Sequence, residues 1–190
     1  MTNPMLHIGW DLGVKRDTTA VVALYHDTRL KKFILWGHRC IDPKITGQVD
    51  IPVVGELIVK ILQTQRVGGV WYDEWQLYSE AQRIAQMGYG HLLHPVNQQQ
   101  DSVLFSNNLS SAIDKGDIVL YSDKTIRAHI TWTGAEVTER GYRIVKRNQN
   151  KPIDLTVAIA IALYGAMKDS SYLRFSAFND DRQQRAVALP

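Results

Sequence analysis

Along the first forty residues, apolar runs alternate with short polar turns. "MLHIGW" runs into Asp11 and Leu12, "TTAVVALY" follows over about 18 to 25, and "RLKKFILWGHRC" comes after the turn "HDTR". Short apolar and alternating runs of this kind predict three strands, and connections this brief predict an antiparallel meander. The period then changes. In "DIPVVGELIVKILQTQ", residues 50 to 65, Val54, Leu57, Ile58, Ile61 and Leu62 recur at helical spacing behind Asp50 as N-cap and Pro52 in the first turn.

"GGVWYD" is a short apolar run behind glycines. It predicts a strand that re-enters the same sheet after a helical crossover, and is therefore parallel to its neighbour. Further on, "SEAQRIAQMGYG" predicts a helix closed by Gly88, and "HLLHPV" a brief strand. The polar "NQQQDS" leads to a helix over about 102 to 115, stopped by Gly116. "DIVLY" reads as a strand, "DKTIRAHITWTGA" as a helix capped by Asp123, and "EVTERGYRIVKRNQNKPID" as a hairpin with a basic tip or edge. An apolar helix over 154 to 168 comes last, before a polar run from Asp169 with little periodicity. The expectation is an α/β fold. An antiparallel three-strand meander and parallel strands share one mixed β-sheet, with helices on both faces. One domain is expected over 1 to 168, followed by a polar tail over 169 to 190.

With 190 residues, 45% hydrophobic and 22% charged, the chain can bury one proper core. Its most apolar stretch, "LTVAIAIALYGAM", falls short of the roughly 20 residues a spanning helix needs, so no membrane partner is expected. The N-terminal stretch has no basic and apolar leader pattern, and the single cysteine, Cys40, cannot form an internal disulfide. The expectation is an intracellular protein that is not secreted.

The net charge of +3 is mild, but the cations cluster. Arg29, Lys31, Lys32 and Arg39 form one group; Arg140, Arg143, Lys146, Arg147 and Lys151 form another. Such faces suit a phosphate-rich partner. They also suit an ordinary solvated strand, and charge alone leaves both readings open.

Three acids narrow the choice. Asp11 sits near the end of the first strand, Asp73 at the end of the strand expected beside it, and Asp154 at the start of the most apolar helix. Alone, each reads as a cap or a turn residue. Together they end elements that should converge, and a carboxylate in a sheet centre needs a cationic partner. Hard oxygen donors from separate elements suit Mg²⁺ or Mn²⁺, and a pair of such ions about 3.5 to 4 Å apart can clamp attacking and leaving oxygens in phosphodiester cleavage.

The runs "IGWDLGVKRDTTAVVAL", "VWYDEWQ", "NNLSSAIDKGDIVLYSDKTIRAHI" and "KRNQNKPIDLTVAIAIALYGAM", in this order, resemble the nuclease domain of the large terminase subunit of tailed bacteriophages. The resemblance covers about residues 6 to 168. It implies a ribonuclease H-like fold, and an endonuclease that cuts concatemeric viral DNA during genome packaging in the cytoplasm of an infected bacterium. It implies that Asp11, Asp73 and Asp154 are the catalytic acids and ligands of two divalent ions, Mg²⁺ or Mn²⁺. Double-stranded DNA is then the substrate, contacted through Arg143, Lys146, Arg147 and Lys151 with little sequence preference. In a full terminase the implied partners are an ATPase domain or subunit, the small terminase subunit and the portal. The chain departs from that pattern in having no G-x-x-x-x-G-K-[ST] phosphate loop. An isolated nuclease domain and a stand-alone relative both fit.

Other readings stay beside this one. A Holliday-junction resolvase or transposase-like enzyme of the same fold would use the same acids. "DLGVKRDTT" also looks like the first phosphate turn of actin-like ATPases, although those folds need two lobes and a late Gly-Gly turn. Asp17 reads as a turn residue rather than an auxiliary acid, and Glu74 as facing away if its strand continues. His129 reads as a core or surface histidine. His91 and His94 lack the cysteine partners of a zinc site. Of the tryptophans, Trp36 and Trp132 are candidates to stack on DNA, the rest core.

Overall fold

The first strand, β1 (Leu6–Asp11), is buried along its whole length. Its side chains alternate between two cores, which is why it reads as an unbroken apolar run. Leu6, Ile8, Trp10 and the following Leu12 enter one core. His7, Gly9 and Asp11 therefore face the other way. In this computed structural model residues 3–13, 18–43 and 49–169 are described. Asp17 and the tail beyond Asp169 lie outside them.

Strands β2 (Thr19–Asp27) and β3 (Lys32–Ile41) complete the expected meander, antiparallel throughout. Helix α1 (Ile51–Thr64) has Asp50 as its N-cap, whose side chain accepts from the Val53 amide. The chain then returns in β4 (Val67–Asp73), which pairs with β1 in parallel, as a helical crossover requires. Strand β5 (Leu93–Val96) adds to β4, and the two-residue β6 (Ile118–Val119) adds to β3, both in parallel. The sheet order is β5-β4-β1-β2-β3-β6.

One face is covered by α1 and α2 (Glu74–Ile84), through Val54, Ile58 and Leu62 with Leu77, Ala81 and Ile84. The other is covered by α3 (Gln98–Asp114), α4 (Lys124–Trp132) and α5 (Asp154–Lys168). Between α4 and α5 a separate hairpin, β7 (Thr133–Thr138) and β8 (Gly141–Lys146), is pinned to α3. The Tyr142 amide donates to Asn107 Oδ1 at 2.8 Å, and the Ile144 amide to Ser106 Oγ at 3.0 Å. The sheet and its two helical layers are thus as expected. No helix among the described residues is long and apolar enough to cross a membrane.

The differences lie at element starts. Helix α2 begins at Glu74, several residues earlier than the expected "SEAQ" start, because Asp73 ends its strand and caps the helix, its Oδ1 accepting from the Trp75 amide at 3.0 Å. Glu74 is therefore helical and does not extend the strand. Helix α3 likewise begins at Gln98: Asn97 Oδ1 accepts from the Gln99 and Gln100 amides, and the polar letters read as a connection are the first turn. Residues 133 to 135, expected to end α4, open β7 instead. Gly88 sits at φ 96°, inside the irregular turn of Ala85–Tyr89 that follows α2.

Two buried histidines couple this fold to pH. Burial holds His7 at about 4, against a weaker pull from Asp169 3.6 Å away, so that contact is not an ion pair at neutral pH. Burial also holds His129 at about 4. The unfolded chain takes up protons near pH ~6.5 and the folded chain does not, so stability present above that pH is lost as pH falls towards about 4. Urea unfolding followed from about pH 7 to about pH 5 should show a falling midpoint with net proton uptake, to which His26, His38 and His94, also lowered by burial, contribute, and His7→Gln should reduce the slope.

Candidate active site

The geometry starts from how closely α5 lies on the sheet. A Cβ added to Gly9 would stand 2.2 Å from the Ala158 carbonyl oxygen and 2.6 Å from the Ala162 nitrogen, so the helix backbone rests directly on β1. A Cβ at Gly165 would stand 2.1 Å from Trp71 Nε1, so the same helix rests on β4 through that indole. Trp71 in turn stacks on His94, ring centroids 4.4 Å apart, and meets Tyr164 edge-on. The stripe Ala158, Ala162 and Gly165 is what permits the approach.

That contact aims the acids. Asp154 lies one turn before Ala158 on the same helix face, and Asp11 lies two residues beyond Gly9 on the same strand face. Trp10 pairs with Tyr72, so Asp11 and Asp73 are the next positions on adjacent parallel strands, at the same end of the sheet. Trp71 and Asp73, two apart, share the face that α5 covers. All three carboxylates therefore point into the layer beneath α5, and they are only 7%, 6% and 8% exposed for Asp11, Asp73 and Asp154.

Each acid is held by a polar neighbour. Gln98 Nε2 donates to Asp11 Oδ1 at 2.8 Å, and Thr18 Oγ1 donates to Asp154 Oδ2 at 2.6 Å. Asp73 is held by the Trp75 amide already described. Asp11 and Asp154 line a cavity of about 490 Å³ with Gln76, Gln98, Arg143 and Lys146. Asp73 lines an adjoining cavity of about 360 Å³ with Trp75, Gln99 and Ser102. Gln76, Gln98, Arg143, Ile144 and Val157 line both.

The four expected cationic contacts divide. Arg143 and Lys146, on β8, line the cavity of Asp11 and Asp154, and Arg143 also lines that of Asp73. Arg147 lines a mostly apolar cavity with Leu109, Ile113 and Ile130. Lys151 lies over the Trp132 ring, Nζ 4.9 Å from its centroid, in a further cavity with Thr18, Cys40 and His129. Among the described residues no three His, Cys, Asp or Glu side chains form a ready metal-ligand group. The donors are still of the hard oxygen type that Mg²⁺ takes, converging from two strand ends and a helix start, so the chemistry of the site fits such an ion.

Gln98, Gln76 and Thr18 were not picked out from the sequence. Their signal was weak: "NQQQDS" reads as a linker until Asn97 is known to cap a helix that aims Gln98 at Asp11. His129 is a core histidine, as expected. It is 3% exposed, and its Nδ1 accepts from the Leu155 amide at 3.2 Å. It thus caps α5, whose N-cap residue Ile153 supplies no side-chain bond. His94 belongs to the Trp71 stack rather than to a zinc site.

No family model matches the chain, and no curated protein matches it in sequence. Solved structures do. The large terminase nuclease of thermophilic phage G20c aligns with a TM-score of 0.68 at 17% identity, over 85% of this chain and 82% of that one. The same nuclease with bound magnesium gives 0.64 at 20%, over 86% and 82%. The HK97 bacteriophage large terminase gives 0.73 at 16%, over 87% of this chain but 40% of that one, so the chain spans less than half of that protein's length. The chain thus has the ribonuclease H-like fold of phage terminase nucleases.

Gly9→Ala tests the contact on which this geometry rests. With backbone atoms on the other side, the strain cannot be relieved by a rotamer change. The substitution should lower stability by about 2 kcal/mol in chemical denaturation, whereas the same change at Gly37, where an added Cβ would meet nothing within 4 Å, should be nearly silent.

Proposed function

We propose that the chain is a metal-dependent DNA endonuclease that cuts concatemeric viral DNA during genome packaging. One observation carries the reading: Asp11 and Asp73 end adjacent parallel strands, and Asp154 opens the helix packed on both, in two adjoining cavities that Arg143 shares and Lys146 joins beside Asp11 and Asp154. The likeness to terminase nucleases, one of them solved with magnesium, supports it. Three nearly buried carboxylates with cationic side chains above them suit phosphodiester chemistry better than a purely structural role, since buried charge is retained only at a cost.

In this reading Asp11, Asp73 and Asp154 hold the divalent ions, two of Mg²⁺ or Mn²⁺. Bound there, they supply Lewis acidity at the phosphodiester oxygens and lower the pKa of water. The chain's own side chains do the positioning. Gln98 and Thr18 each occupy one oxygen of Asp11 and Asp154, which fixes the carboxylate planes. Arg143 and Lys146 bind the backbone phosphates, so the contact is with the strand rather than with base sequence. Arg147 and Lys151 extend the cationic surface along the duplex. No side chain need act as nucleophile.

Residues 1 to 168 constitute the nuclease domain, with the polar tail following. Double-stranded DNA is the substrate, and the working partners are a packaging ATPase, a small terminase subunit and a portal, in the cytoplasm of the infected cell.

Supercoiled plasmid should be nicked and then linearised in Mg²⁺ or Mn²⁺ and left intact in EDTA. Asp73→Asn and Asp154→Asn should each reduce the rate by about a hundredfold or more. Cleavage indifferent to both substitutions would return the acids to caps and turns. Replacing Arg143 and Lys146 together by Ala should weaken duplex binding and reduce the slope of log K against log salt by about two, while Arg147→Ala and Lys151→Ala should each have a smaller effect. A slope unchanged in the first variant removes these two side chains from the phosphate contact.

A further inference from the structure

Trp75 is 80% exposed, on the first turn of α2, two residues after Asp73. Its side chain lines the rim of a cavity while staying open to solvent. The cavity it lines, about 360 Å³, contains Asp73, the amides of Gln76, Gln98 and Gln99, the hydroxyl of Ser102 and the guanidinium of Arg143, with Phe105, Ile144 and Val157 as its apolar part. An open indole on a cavity that holds apolar side chains together with amide and hydroxyl groups is what an unpaired nucleobase needs. The ring stacks, the amides offer both donors and acceptors to the base edge, and the guanidinium takes the neighbouring phosphate. A duplex cannot supply this, because its bases already stack on one another.

We propose that this cavity is a nucleobase pocket, in which Trp75 stacks on one unstacked base of the DNA strand beside the scissile phosphate. The inference rests on the nuclease reading and adds a substrate feature to it: a strand that is single, frayed or locally opened at the cut binds better than a fully paired one. Trp75 is the binding platform, and Gln76 and Gln99 are the edge contacts.

The test is binding in EDTA, by fluorescence anisotropy, of a single-stranded oligonucleotide of about 20 thymidines and of a fully paired duplex of the same length. It uses the full chain as wild type, Trp75→Ala, Trp75→Phe and Asp73→Asn. Trp75→Ala should weaken single-strand binding about tenfold and duplex binding by less than about twofold, and Trp75→Phe should retain most of the affinity because a ring remains. Thermal melts should show the variants folded, since Trp75 is a surface residue. Equal single-strand affinity in wild type and Trp75→Ala, or no single-strand binding in the wild type, would overturn the proposal. The exposed ring would then read as a docking surface for a protein. Plasmid cleavage lost in Asp73→Asn is scored separately, so failure of the pocket leaves the nuclease reading standing, and failure of the nuclease is visible without it.

Discussion

Everything at this site depends on a helix backbone lying directly on a strand backbone. Gly9 has no Cβ, Ala158 and Ala162 have the smallest ones, and together they let α5 approach β1 to a distance that any larger side chain would prevent. Close packing of this kind leaves little freedom to slide or rotate. The position of Asp154 relative to Asp11 is therefore set by the core and not by a loop. Trp71 extends the same constraint to β4, filling the space beneath Gly165 and braced by His94 and Tyr164. Three acids on three elements are thereby referred to one rigid frame.

Rigidity of that frame has an electrostatic consequence. Carboxylates held at under a tenth exposure cannot turn out to water, so their charge has to be met where they stand. The protein meets part of it with neutral donors, Gln98 for Asp11, Thr18 for Asp154 and the α2 N-terminus for Asp73. Neutral donors orient a carboxylate without neutralising it. The arrangement holds the carboxylates in fixed orientations, and carboxylate oxygens are the donors a hard cation takes.

The sheet, its order of parallel and antiparallel pairs, and the terminal helix were legible because each rests on a period or a short connection. The acids were legible as the odd residues in apolar runs. What escaped was governed by caps. Asp73 and Asn97 end extended segments and start helices in the same residue, and single letters do not show which hydrogen bond they accept. Gln98 was hidden for that reason, and Glu74, on the other face only if its strand continued, opens the helix instead. The placing of the cations was hidden too: Arg143 lines the cavities of the acids and also the apolar cavity of Arg147, and sequence spacing along "YRIVKR" does not show which cavity each side chain reaches.

That pinning links the cationic and anionic halves of the site. The hairpin is not part of the main sheet, and its register against α3 depends on Asn107 and Ser106 alone among the polar contacts described. Helix α3 also carries Gln98 at its first turn, against Asp11. One helix thus fixes both the donor beneath a carboxylate and the strand that holds Arg143 and Lys146 over it. Movement of α3 would shift both together, so the spacing between the cations of β8 and the acids is kept by a single element. Opposite charges referred to one helix hold their spacing better than charges carried on two loops that move apart.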